Sequence, residues 1–182
     1  MNRTVLYGDV AVPIHERPWQ SGPRQPYRQT YHLQPGESWL QATTSSGQWE
    51  HYVQLASGEQ LPVGAVIARE LMAEGALAAY FTELWIGRCV LVGPDLMCVK
   101  PQGAAERFLA EMRGALGGKV DGLPDVVAFF PDGKIVLREA KNVGARDSLR
   151  DTQHEFARAA RRLFGSHVDI AVVEWGAKDR SK

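Results

Sequence analysis

GLPDVVAFFPDGKIVLREAK, residues 122–141, holds two apolar runs on either side of Pro131-Asp132-Gly133. The runs read as strands over 125–130 and 135–140, joined by a tight turn. An antiparallel pair closed there matches residues whose numbers sum to about 264 or 265, which sets Asp125 opposite Glu139 or Ala140. Side chains two apart on a strand share a face, so Lys141 projects beside Glu139, while Ala140 points away and leaves its carbonyl near the same place. Two carboxylates plus a carbonyl form a hard, oxygen-rich partial cage suited to Mg²⁺ or Mn²⁺, with waters and phosphate oxygens completing the shell. A lysine beside such an ion can hold the attacking water and offset charge on a phosphate. Taken singly the pieces are ordinary. Pro94-Asp95 and Pro131-Asp132 are turn chemistry, and Glu-x-Lys on a strand is often a solvated face.

Downstream, the spacing predicts a helix over 148–164 ended by Gly165, then a strand over 168–174. Gln153, Phe156, Ala160 and Leu163 fall on one face of that helix, which puts a polar Gln on the apolar stripe. Upstream, residues 103–116 read as a helix with Phe108, Leu109, Met112 and Leu116 inward. Residues 89–92 and 96–99 read as a hairpin about Gly93-Pro94-Asp95. From Val63 to about Trp85 the apolar residues Val66, Ile67, Leu71, Leu77, Phe81, Leu84 and Trp85 follow helical spacing, with Gly75 as a break. Residues 1–60 hold five Gly, five Pro and no Lys. They read as short strands, including 5–7 and 10–12, an extended loop over Arg17–Tyr31, and an aromatic hairpin of Trp39, Trp49, Tyr52 and Val53 about Ser45-Ser46-Gly47, with Ser57-Gly58 ending its second strand.

The chain of 182 residues carries 21 Lys+Arg against 21 Asp+Glu and two cysteines. This length can bury a core without disulfide or structural metal, so Cys89 and Cys98 are expected to be ordinary core residues of a soluble protein in a reducing compartment. No apolar run approaches a bilayer span, and no membrane partner is expected. Neutrality argues against a nucleic-acid partner only if charge is evenly spread. It is not: residues 119–182 hold 12 basic against 10 acidic residues, and residues 1–118 hold 9 against 11. Arg146, Arg150, Arg158, Arg161 and Arg162 gather on and just before the last helix, and form a plausible phosphate-tracking ridge. No zinc pattern, Walker loop, dinucleotide turn or Ser-His-Asp set competes with the carboxylate site.

From about Lys119 to Trp175 the chain resembles the VRR-NUC branch of the PD-(D/E)XK nucleases. The match runs through Gly122-x-Pro124-Asp125, Glu139-x-Lys141, Asp147-x-Leu149-x-x-x-Gln153, a Gly-terminated helix and a closing strand, in the family's order and spacing. The resemblance implies an α/β restriction-endonuclease-like core with a mixed central sheet flanked by helices, over residues 63–176. Residues 1–62 would be a β-rich extension and 177–182 a polar tail. It implies Asp125, Glu139 and the Ala140 carbonyl as ligands of Mg²⁺ or Mn²⁺, Lys141 as the catalytic lysine and Gln153 as a further cleft residue. Glu74, in Glu74-Gly75-Ala76, resembles the upstream helical glutamate of the Fanconi-associated nuclease branch and would be a further metal ligand, with Glu106 its competitor. The sequence departs from the pattern at Ala140, where a larger apolar residue is usual, and in the link Asn142–Arg146, which is longer than the family's short Gly-Pro link.

The activity so implied is metal-dependent hydrolysis of phosphodiester bonds in DNA, endonucleolytic, in the cytoplasm. Three variants of this expectation differ in their partners. A repair or structure-selective enzyme would take branched or flapped DNA. A toxic DNase would be delivered into another cell's cytoplasm and held by a cognate immunity protein. A non-cleaving module would bind nucleic acid without a Mg²⁺-dependent product. A homodimer on two-fold substrates is a further expectation of the resemblance.

Overall fold

The structure, a computed structural model, describes residues 3–22, 25–26, 49–50, 52–85, 88–145 and 147–176. A hairpin of β1 (Thr4–Tyr7) and β2 (Val10–Glu16) comes first, then the short strands β3 (Gln20–Ser21), β4 (Gln25–Pro26), β5 (Trp49–Glu50), β6 (Tyr52–Gln54) and β7 (Gln60–Pro62). Helix α1 (Val63–Ala73) leads into β8 (Ala78–Trp85), β9 (Arg88–Val92) and β10 (Cys98–Val99), and then into α2 (Ala104–Ala115). The chain ends in β11 (Val126–Phe129), β12 (Ile135–Asn142), α3 (Asp151–Phe164) and β13 (Val168–Trp175).

Eight of these strands form one mixed sheet in the order β1-β2-β13-β12-β11-β8-β9-β10. β12 and β13 run parallel, as do β13 and β2, and the other neighbours are antiparallel. Helix α3 supplies the crossover that a parallel β12–β13 pair requires. Alternation along β12 sorts its side chains: Val136 and Ala140 join the core under α1, whereas Ile135 and Leu137 join the core under α2 and α3. Glu139 and Lys141 therefore lie on the α3 face. Gly64 allows α1 to lie close on the sheet, since a Cβ there would come within 2.6 Å of the Phe81 Cβ. Among the described residues no helix is long and apolar enough to cross a membrane.

The predicted helical stretch 63–85 is corrected. Gly75, at φ 100°, ends α1 in a Schellman arrangement, with the amide of Ala76 donating to the carbonyl of Leu71 and that of Gly75 to Met72. The chain then enters β8, with Ala79 and Phe81 buried alternately, while Leu77 is 69% exposed. Apolar residues at 77, 81 and 84 satisfy a helical period over so short a run, and the chain uses the period of two. Leu163 is likewise exposed, and Phe164 instead stacks on Phe108 with ring centroids 5.4 Å apart. The boundary expected at residue 62 does not divide the sheet, because β1 and β2 lie within it. Ser57-Gly58 turns between β6 and β7. Trp39, Ser45–Gly47, Arg146 and the tail 177–182 lie outside the described residues.

Candidate active site

The β11–β12 register pairs Val126 with Arg138, which continues to Asp125 opposite Glu139. Two devices on β8 hold the Pro124–Asp125 backbone: the Thr82 hydroxyl donates to the Pro124 carbonyl at 2.7 Å, and the Thr82 amide donates to the Asp125 carbonyl at 2.9 Å. The Asp125 carboxylate accepts the amide of Ala140 at 2.7 Å. The amide of Ala140, rather than its carbonyl, is thus what the structure joins to Asp125.

Glu139, Lys141 and Gln153 are 2%, 5% and 3% exposed. Such groups are almost never buried unless paired, and here they pair with one another. Lys141 Nζ lies 2.9 Å from Glu139 Oε1 and 3.4 Å from Asp147 Oδ1. Gln153 stands at the third position of α3; its amide nitrogen donates to Glu139 Oε1 and its oxygen accepts the amide of Arg150 at 3.0 Å. One side chain thereby caps the helix and orients the glutamate. Gly122 seats this helix end: at φ +76° it lies so close to Thr152 that a Cβ would come within 2.0 Å of that carbonyl oxygen. From the other side the amide of Gly8, at the tip of the β1–β2 hairpin, donates to His154 Nδ1 at 3.0 Å, and Tyr7 packs edge-on against that imidazole.

Within this cluster, Glu139 Oε2 is buried and accepts no hydrogen bond from the described residues. A net hydrogen bond contributes about 1 kcal/mol, whereas a buried acceptor left alone costs about 1–3 kcal/mol, and more when charged. Without a cation, this position lowers stability. Burial, and then the facing Asp125, push the Glu139 carboxyl up to about 8, against the opposing pull of Lys141 and Gln153. Burial also raises Asp125, although the Ala140 amide and the Lys141 charge oppose it. Burial would lower the Lys141 ammonium, but Glu139, Asp147 and Asp125 outweigh it and hold the group above its ordinary value. Burial keeps the Tyr7 phenol neutral, and the charges of Glu139 and Asp125 add to that.

An acid whose folded pKa exceeds its unfolded one holds its proton more tightly when folded. The stability Glu139 contributes is therefore present below 4.5 and lost as pH rises through about 8. In EDTA the melting temperature is expected to fall between pH 5 and pH 8, as read by differential scanning fluorimetry, and Glu139→Gln to flatten that slope. An unchanged slope in the variant would assign the fall to other groups.

A divalent cation fits the donor set. Two carboxylates converge and one buried oxygen is left over for a ligand. Among the described residues no group of three His, Cys, Asp or Glu comes together as a protein cage. The set matches the habit of Mg²⁺, which keeps waters and is held by one or two carboxylates plus substrate phosphate. Glu74 does not join it. Glu74 lies just beyond the last turn of α1, is exposed, and acts on His15 of β2, a strand that β13 and β12 separate from β11 and Asp125. Glu106 is exposed in the first turn of α2.

Of the expected arginines, Arg150 precedes α3 and its charge reaches Asp125. Arg158 is 3.4 Å from Asp9, Arg161 is half-buried with Nε lacking a partner among the described residues, and Arg162 is exposed. Sequence reasoning missed Thr82, Tyr7 and the Gly8–His154 bond. Their partners are distant in sequence, and only the spatial neighbourhood gives them a role. Comparisons with protein-family models, curated proteins and solved structures find no match for this chain.

Proposed function

We propose that this protein is a metal-dependent DNA endonuclease. The observation that carries the reading is the buried Glu139 carboxylate, which feels the charge of Asp125, with one oxygen held by Lys141 and Gln153 and the other without a partner among the described residues. Further support comes from the succession α1, three antiparallel neighbours β8, β11 and β12, then α3 and a parallel β13, which is the order that a restriction-endonuclease-like core would have. The sequence resemblance to VRR-NUC proteins points the same way.

Asp125 and Glu139, with the Ala140 carbonyl, would hold Mg²⁺ or Mn²⁺. When bound, the ion supplies Lewis-acid stabilisation of the phosphoryl oxygens and lowers the pKa of a ligated water. Gln153 fixes the Glu139 carboxylate in one orientation. The Lys141 ammonium, kept charged by its carboxylate neighbours, sets the attacking water in line and offsets the charge that develops on the phosphate. Arg150 offers a cation at the mouth for the flanking backbone.

Incubation of supercoiled plasmid, duplex, flap, four-way junction and RNA with Mg²⁺ or EDTA is the direct test. Nicked or linear DNA is expected with Mg²⁺ and none with EDTA, and DNA binding without any product would replace hydrolysis by a binding role.

A further inference from the structure

The groups that would meet a substrate are shut away from it. Glu139, Lys141 and Gln153 are almost wholly buried, and they contact one another. Asp147 differs from them. Its carboxylate lies 3.4 Å from Lys141 Nζ and its side chain is 42% exposed, against 7% for the side chain of the lysine and 2% for that of Glu139. Three side-chain oxygens are described around the ammonium, from Glu139 at 2.9 Å, Asp147 at 3.4 Å and Gln153 at 3.5 Å. Of these, the Asp147 oxygen alone belongs to an exposed residue, so Asp147 stands between the lysine and water.

Asp147 also faces the other carboxylates. Its charge acts on Asp125, whose ionisation it opposes, as well as on Lys141. It is not gathered with Asp125 and Glu139 into a group that could hold a metal. Its position instead puts an anionic pair of oxygens on the solvent side of the ammonium and within electrostatic reach of Asp125, which is what a substrate phosphate has to do. Little holds it there. A half-exposed ion pair contributes little, because water screens it and two side chains lose rotamer freedom to make it. When the carboxylate turns to solvent, Lys141 still has Glu139 at 2.9 Å. A phosphate brings charge-assisted contacts to the same ammonium and can take the vacated place without any movement of β12.

We infer that Asp147 stands in for the substrate phosphate: its carboxylate occupies the place of the phosphate on Lys141 in the free protein and gives it up when DNA binds. The inference rests on the nuclease reading for the identity of the incoming anion, and on the Asp147–Lys141 contact for the exchange. Asp147 is then a determinant of substrate affinity and not of the chemical step.

Asp147→Asn keeps the shape and removes the competing charge. In Mg²⁺ its KM for a short duplex is expected to fall about two- to fivefold, the range of one partly exposed ion pair, with kcat unchanged. In EDTA, fluorescence anisotropy of the labelled duplex should show a gain in affinity of the same size. Glu155→Gln, at an exposed position of α3, measures the effect of losing any one negative charge and should give a smaller gain. With Lys141→Ala already present, the gain from Asp147→Asn should shrink to that of Glu155→Gln. Melting temperatures confirm that each variant is folded. A lower kcat with unchanged KM would make Asp147 a residue that positions the lysine and would overturn the inference, as would a gain that persists in full beside Lys141→Ala. If no variant cleaves, a Lys141-dependent gain in binding would uphold the exchange and remove the nuclease reading, and the absence of both cleavage and gain would remove both.

Discussion

Glu139→Ala and Lys141→Ala should each lower cleavage of supercoiled plasmid in Mg²⁺ by about 10²–10³-fold or more, the scale seen when a group stabilising the transition state is removed. The loss should not come from unfolding. Glu139 is buried with an oxygen that no described residue satisfies, so Glu139→Gln, which keeps the shape and discards the charge, should match or exceed the wild-type melting temperature in EDTA. The two measurements together separate a catalytic carboxylate from a structural one. A structural Glu139 would lower the melting temperature and leave the residual rate near that of the wild type. Lys141→Ala leaves Glu139 facing Asp125 without the cation that favours its ionised form, so it should be the less stable of the two variants. Retained cleavage by both alanine variants would remove this site from consideration.

Gly122→Ala should have the largest effect on the folded state. A methyl group there would come within 2.0 Å of the Thr152 carbonyl and within 2.6 Å of the Gln153 amide, at a φ of +76° that L-residues rarely adopt. Backbone strain of about 1–3 kcal/mol and an overpacking cost of about 1–3 kcal/mol combine, because the obstacle is backbone and cannot swing aside. Since the displaced segment is the first turn of α3, the shift carries Gln153 away from Glu139. A chemical-denaturation midpoint well below wild type, with cleavage lost even where the protein remains folded, is the expected pair of results. A variant with wild-type stability and rate would show that the Gly122–Thr152 contact is dispensable.

The strands that carry the site were legible because a tight turn fixes their register. Pro131-Asp132-Gly133 leaves little freedom for pairing, and the observed sum of 264 results from it. Gln153 was legible as a polar residue on an apolar helical stripe, and its burial is explained by Glu139. The strand at 78–85 was misread because four apolar residues over nine positions fit either period; the chemistry that settles it is Gly75, a C-terminal cap with a strand rather than a second helix beyond it. The place of β1 and β2 was not legible at all. Nothing local in residues 4–16 announces that β2 will run parallel to β13, since parallel partners carry no turn signal between them. For the same reason Tyr7 and Gly8 could not be connected with the start of α3.

That parallel pairing has a consequence for the order of assembly. Ile14 pairs with Val172, and the Gly8–His154 bond spans 146 residues. Contacts of such separation close late, because the entropy of the intervening loop is lost before they form. On a ribosome, β2 waits for β13 to emerge, and the hairpin tip cannot brace the start of α3 until then. The brace on the start of α3, the helix that carries Gln153 to Glu139, is therefore completed only when nearly all of the described chain is present.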